Sequence, residues 1–109
     1  MIISGVFHVY KCIKKEKYQY VDGHIIRDID KKENFIIVKE MDIKKHIRNC
    51  DNKGCLEISD ITYYEIVKVD SIFSYGEYWE CLNGGMSARL TCLCNVEIKE
   101  DDVLYKIIC

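Results

Sequence analysis

β-Branched residues dominate the apolar content of this chain, and they constrain its fold more than any other feature. Isoleucine and valine together number 25 of the 109 residues, whereas leucine numbers 5 and alanine 1. There are also 8 tyrosines and no proline. Alanine and leucine favour helices, whereas β-branched and aromatic side chains suit the pleated surface of a sheet. The sequence therefore predicts a protein built mainly of β-strands.

The length and the cysteines limit the organisation of the chain. A chain of 109 residues holds one hydrophobic core, so we expect a single domain over residues 1–109. The longest wholly apolar run has four residues, far short of the ~20 that cross a membrane as a helix. The first residues lack the basic start and long apolar stretch of a signal peptide. Seven cysteines, an odd number, indicate reduced thiols. We therefore expect a cytoplasmic protein, in the host cytoplasm if it is viral.

Two hairpins are predicted from turn signals. In the first, Asp22-Gly23 is a two-residue turn between strands Tyr18–Val21 and His24–Arg27. In the second, Asn83–Gly85 joins the strands 77–82 and 86–91, which sets Trp79 opposite Arg89.

Further strands are indicated over 4–13, 35–40, 55–58 and 61–69. Alternating apolar residues from Leu90 to Ile98 and from Val103 to Cys109 predict a last hairpin that pairs Ile98 with Val103. One short helix is expected near residues 42–50, capped by Asp42. The predicted fold is mostly β, with α+β as an alternative. It is a small antiparallel barrel or two packed β-meanders with that one helix.

The cysteines suggest a possible metal site. Cys50 and Cys55 flank a polar loop, Cys92 and Cys94 follow later, and His46 lies one helical turn before Cys50. Four such ligands would satisfy zinc. However, the spacing differs from the paired C-x2-C ligands of zinc ribbons and fingers. Because Cys92 and Cys94 belong to the apolar phase of a strand, we expect both to be buried and without metal.

Two sets of aromatic and cationic side chains are candidate binding sites. Trp79 and Arg89, with Tyr78 on the same strand, are of the residue types that dominate binding hot spots. Tyr18 and Tyr20 near Arg27 form a second candidate, a platform on which bases of single-stranded nucleic acid would stack. Together the two sets comprise Trp79, Arg89, Tyr78, Tyr18, Tyr20 and Arg27.

The sequence predicts no catalytic residue and no required cofactor. Its three histidines lie in no recognisable catalytic motif. Residues 1–54 carry 12 Lys/Arg against 8 Asp/Glu, and residues 55–109 carry 4 against 10, within a net charge of −2. Such a dipolar distribution suits self-association or a protein partner. We therefore expect a non-enzymatic binding module for a protein partner or a small ligand.

One form of such a module is a phage or mobile-element inhibitor or sequestering protein, which the preference for residues with AT-rich codons suggests. Two alternatives accompany this prediction. The first is a zinc-stabilised or basic-aromatic nucleic-acid-binding module, although the net negative charge makes nucleic acid the less favoured partner. The second is an enzyme that depends on Cys and His. A membrane partner is not expected, and a homo-oligomer is an open alternative.

Overall fold

A computed structural model describes residues 2–38, 47–49, 55–58 and 64–108, with the backbone course alone for 47–49 and 55–58. Within these ranges the protein is all-β and contains eleven strands. Their bounds are β1 Ile2–Lys15, β2 Tyr18–Ile25, β3 Ile29–Asp30, β4 Phe35–Val38, β5 Ile47–Asn49, β6 Cys55–Ile58, β7 Tyr64–Ser74, β8 Glu77–Trp79, β9 Cys81–Leu82, β10 Ser87–Leu93 and β11 Val103–Ile107.

Six of these strands close into a barrel. The pairing runs β1–β2–β10–β7–β4–β11, and β11 pairs back with β1, so that the ring has no free edge along this path. Every pairing is antiparallel. Strands β6 and β5 extend the sheet beside the start of β1, and β8 pairs with β7. The prediction of a small antiparallel barrel is confirmed.

Side chains fill the barrel interior. The period of two along each strand sends alternate residues inward, as in β10, where Ala88, Leu90 and Cys92 are buried. One core cluster unites these residues with buried side chains from every strand of the ring. Its members are Val6, Phe7, Val9, Val21, Ile25, Ile29, Phe35, Ile37, Val67, Val69, Ile72, Leu82, Ala88, Leu90, Cys92, Ile98 and Leu104. The interior is therefore a packed core, which leaves the outer surface of the barrel for binding.

Each end of the barrel is covered by a different segment. At the end where β2 finishes, the two-stranded sheet of β3 and β9 contributes Ile29 and Leu82 to the core. At the end where β2 starts, the chain between β10 and β11 crosses the opening and buries Ile98. The buried Gln19 side chain holds this crossing segment. Its Nε2 donates to the Val96 carbonyl at 2.8 Å, and its Oε1 accepts from the Ile98 amide at 2.7 Å.

Bulges in β1 allow this long strand to curve around the barrel. The register shifts between Gly5 and Phe7 against β11, and between Val9 and Lys11 against β2. An extra residue on one strand bends it and increases its twist. The second bulge places Tyr10 on the outer surface, where the side chain is exposed.

The predicted turn at Asp22-Gly23 is wrong. Strand β2 continues through both residues, and the hairpin between β1 and β2 turns instead at Glu16 and Lys17. Gly23 has a different role, because a Cβ there would lie 2.1 Å from the His8 carbonyl oxygen and 2.7 Å from the Phe7 ring. Glycine at this position therefore allows β2 to pack closely against the Phe7 ring and the backbone of β1.

Two other local predictions fail because tertiary pairing overrides local pattern. Residues 47–49 form β5 where a helix was expected, while 42–46 and 50 lie outside the described residues. The predicted last hairpin is also absent. Strand β10 ends at Leu93, and β11 pairs with β1 and β4, so that Leu104 faces the core and Tyr105 lies on the outer side.

Candidate binding surface

The hairpin of β7 and β8 presents aromatic side chains to solvent. Ser74 pairs with Glu77, so Tyr75 and Gly76 form a two-residue turn, with φ of 50° and 78°. Both values lie in the left-handed region that primed hairpin turns require. Glycine adopts it freely, whereas a bulky residue such as Tyr75 does so at a cost. Tyr75 is nonetheless 76% exposed, so packing does not explain its presence.

A continuous row of side chains extends from this hairpin across the outer face of the barrel. Tyr78 lies opposite Phe73, Phe73 opposite Arg89, and Arg89 opposite Asp22. Lys11 on β1 completes the row beside Asp22. The rings of Phe73 and Tyr78 make an edge-to-face contact with centroids 5.1 Å apart, a geometry that adds to the stability of aromatic pairs.

A bidentate ion pair fixes the centre of this row. Arg89 Nε and Nη2 donate to the two carboxylate oxygens of Asp22 at 2.6 and 2.9 Å. The hydrogen bond from Arg89 lowers the pKa of Asp22, and desolvation opposes this effect in part. The same hydrogen bond raises the pKa of Arg89. The fork geometry holds the guanidinium in one orientation beside Phe73.

The ion pair has a small, pH-dependent effect on stability. Because the folded pKa of Asp22 is lowered, its contribution is complete above about pH 4 and is lost as pH falls through the folded pKa. Both side chains are more than a third exposed, so Arg89→Met is expected to cost at most about 1 kcal/mol at pH 7. Urea unfolding against pH should show the difference vanish in acid. A pH-independent difference would contradict this, and Lys68→Met is the matched control.

An open groove of about 490 Å³ lies beside this row. Tyr10 lines it from β1, and Phe73 and Tyr75 line it from β7 and its turn. Gly23, Ala88 and Ser74 also line it. Because the side chains of Ala88 and Ser74 are buried and Gly23 has none, the groove has a low floor between aromatic walls.

The predicted pairing of Trp79 with Arg89 is wrong. Trp79 lies opposite Ile72, and its indole Nε1 donates to the Ser74 carbonyl at 2.9 Å. Tyr78 is the residue that shares a face with Arg89, through Phe73. Both aromatic side chains are exposed, Tyr78 by 75% and Trp79 by 38%. The structure thus brings Tyr78 and Arg89 together and leaves Trp79 on the other side of the hairpin.

The second predicted set is divided by the structure. Tyr18 and Tyr20 are half-buried on the outer face of β2. Arg27 follows the opposite end of that strand, about 30 Å from Tyr18 along an extended chain. The three residues therefore form no common platform. The Lys17 ammonium instead lies 5.3 Å from the centroid of the Tyr18 ring.

The predicted metal ligands are not seen as one cluster. Cys92 is buried in the barrel core, and burial raises the pKa of its thiol, which opposes the thiolate form that binds metal. Cys94 is half-buried beside the core. Cys55 is described only as a strand residue, and His46 and Cys50 lie outside the described residues. Within residues 2–38, 47–49, 55–58 and 64–108, no group of three or more metal-binding side chains occurs.

The two histidines in the described part of the chain, His8 and His24, lie on the outer side of the sheet. His8 and His24 are opposite each other on β1 and β2, and His8 Nε2 lies 3.2 Å from Asp101 Oδ1. Cys92, inside the barrel, and Cys81, on β9, lie in other parts of the fold. These residues therefore provide no adjacent cysteine and histidine for the alternative of a Cys- and His-dependent enzyme.

Sequence reasoning missed four residues of this surface, which are Tyr10, Asp22, Phe73 and Tyr75. Tyr10 reaches the surface through a bulge, which local pattern does not reveal. Asp22 was assigned to a turn. The dipeptide Tyr75-Gly76 between alternating residues is a hairpin signal with glycine at its second position, and it would have placed Tyr78 opposite Phe73.

Comparison with known proteins gives no relative from which to transfer a role: no family model, curated protein or solved structure matches this chain. Within the described part of the chain, no helix has the length and apolar character to span a membrane.

Proposed function

We propose that this chain is a non-enzymatic binding module that contacts a protein partner through the outer face around the β7–β8 hairpin. The observation that carries the proposal is the exposed aromatic hairpin beside a fixed arginine. Tyr75 and Tyr78 project from the hairpin, and Arg89 is held by Asp22 at its base. Tyrosine and arginine are enriched among residues that dominate protein interfaces.

The position of Tyr75 supports this function independently of its exposure. A tyrosine in the left-handed region costs stability that asparagine or glycine would avoid. Strained residues of this kind concentrate at functional sites. A partner that buries the ring would compensate for that cost.

We also propose a cellular location and an origin for this protein. We place the module in the cytoplasm, because an odd number of cysteines cannot all pair and because Cys81 and Cys92 are free thiols. A phage-encoded inhibitor or sequestering protein is one form that this function takes. A second copy of the chain is one candidate partner.

Tyr75→Asn is expected to separate stability from binding. Asparagine tolerates the left-handed region, so the free energy of unfolding should stay unchanged or rise by up to about 1 kcal/mol. Loss of the Tyr75 ring should reduce the amount of bound partner at least tenfold. The measurement is the amount of each protein that the tagged chain captures from a lysate of the cells in which the chain naturally occurs. Sedimentation then detects self-association.

The matched control is Ile66→Thr, which removes exposed apolar surface from the far end of the same strand. It should bind as the wild type does. If Tyr75→Asn captures the same proteins in the same amounts and sediments identically, the proposed surface is wrong.

A further inference from the structure

A second surface combines lysines with tyrosine rings on the outer face of β1, β2, β10 and β7. Lys15 lies opposite Tyr18, Tyr18 opposite Leu93, and Leu93 opposite Lys68. In the neighbouring row, Ile13 lies opposite Tyr20. We define the lysine–tyrosine face by its ring and cation residues, which are Lys15, Lys17, Lys68, Tyr18 and Tyr20.

The charge of this face opposes that of the whole chain. Its three lysines are exposed, whereas the chain has a net charge of −2. The nearest acidic residues along the same strands and turn are Glu16 and Asp70, while Asp22 is engaged by Arg89. The excess of cations persists after these carboxylates are counted. A local positive field of this kind attracts polyanions.

Two grooves open on this face. One, of about 450 Å³, is lined by Lys14, Lys17 and Lys68, by the acidic Glu16, and by Leu93 among the remaining residues. The other, of about 190 Å³, is lined by Ile13, Lys15, Tyr20 and Arg89. Each groove thus combines cationic side chains with an apolar wall. Tyr18 lies beside both, since its cross-strand neighbours are Lys15 and Leu93.

We propose that the lysine–tyrosine face binds single-stranded nucleic acid. Proteins that bind single strands without sequence preference combine a cationic groove along the phosphates with aromatic rings on which bases stack. Lysines from β1, the turn and β7 lie around Tyr18, and Lys15 shares a groove with Tyr20, in place of the distant Arg27. Tyr18 and Tyr20 lie two residues apart on the same face of β2, an arrangement on which successive bases stack.

Fluorescence anisotropy with a labelled 15-nucleotide oligo-dT, repeated at several salt concentrations, tests the proposal. Binding should weaken as salt rises. The double variant Lys15→Gln, Lys68→Gln should lower the slope of log affinity against log salt by about 1.4, at about 0.7 for each lost phosphate contact. The double variant Tyr18→Leu, Tyr20→Leu keeps the apolar bulk but removes the rings. It should weaken binding by about tenfold or more.

Three controls make the outcome decisive. Tyr18→Phe with Tyr20→Phe keeps the rings and should retain binding. Lys31→Gln with Lys32→Gln removes the same charge next to β3, at the other end of the barrel, and should leave the salt slope unchanged. Tyr75→Asn should also leave oligo-dT binding unchanged, which separates this surface from the protein-binding face.

Several results would overturn the proposal. One is the absence of oligo-dT binding at low salt. Another is equal affinity for a duplex of the same length or for polyglutamate, with no effect of the tyrosine variants, which would indicate simple attraction to polyanions or to an acidic protein.

Discussion

Gly23→Ala is expected to lower the free energy of unfolding by about 3 kcal/mol, the upper end of the usual range for overpacked cores. The added methyl would lie 2.1 Å from the His8 carbonyl oxygen and 2.7 to 2.8 Å from two ring carbons of Phe7. The carbonyl belongs to the backbone of β1, which pairs with β2 at this point. Relief would therefore require the two strands to separate, and thermal or urea unfolding would record the loss.

Variants at two other glycines separate the cost of steric crowding from the cost of an unfavourable backbone conformation. Gly5→Ala meets only side chains, Val103 at 3.3 Å and the Tyr105 ring at 3.7 Å, and should cost less than about 1 kcal/mol. Gly76→Ala meets nothing within 4 Å but must adopt a φ of 78°, so it should cost about 1 kcal/mol. A cost for Gly23→Ala no larger than that for Gly76→Ala would show that the strand packs less tightly there.

Gln19→Leu is expected to destabilise the protein by about 2–5 kcal/mol. Leucine has a similar volume, but it leaves the Val96 carbonyl and the Ile98 amide without the partner that Gln19 provides. Each buried polar group left unsatisfied costs about 1–3 kcal/mol. Unfolding measured by circular dichroism gives the total, and hydrogen exchange at the Ile98 amide should accelerate. An unchanged exchange rate would mean that the crossing segment is held by other contacts.

Gln19→Glu provides the matched test with pH as the variable. A protonated carboxyl can donate to the Val96 carbonyl and accept from the Ile98 amide, whereas a carboxylate cannot donate. Burial should therefore raise the folded pKa of the introduced carboxyl above its unfolded value of about 4.3. A raised folded pKa gives stability that is present at low pH and lost as pH rises through that pKa. This variant should thus approach the wild type in acid and fall below it at neutral pH.

The sequence was sufficient to predict the class of fold and several strands. Cys55–Ile58 was predicted with the bounds of β6, and the expected strands over 4–13 and 35–40 correspond to β1 and β4. These predictions depend on local propensity and alternation, which are properties of the residues themselves. Closure into a barrel was one of two predicted architectures, because alternation does not specify which strands become neighbours.

The failed predictions have a common physical origin. Asp22-Gly23 resembles a turn by type, yet the glycine accommodates Phe7 and the aspartate pairs with Arg89, which lies 67 residues away. The candidate site depended on the same long-range information. Tyr78 and Arg89 were both identified, but their actual link through Phe73 follows from the pairing of β7 with both β8 and β10.

The pairing of β1 with β11 has a consequence for the order of folding. The ring closes only when Val103–Ile107 reaches the edges of β1 and β4. Until that strand is synthesised, both edges present unpaired backbone groups that invite association with other chains. Contacts between such distant segments also slow folding, because the intervening chain must be ordered first. A nascent chain that stalls between β10 and β11 should therefore depend on chaperones more strongly than the finished barrel does.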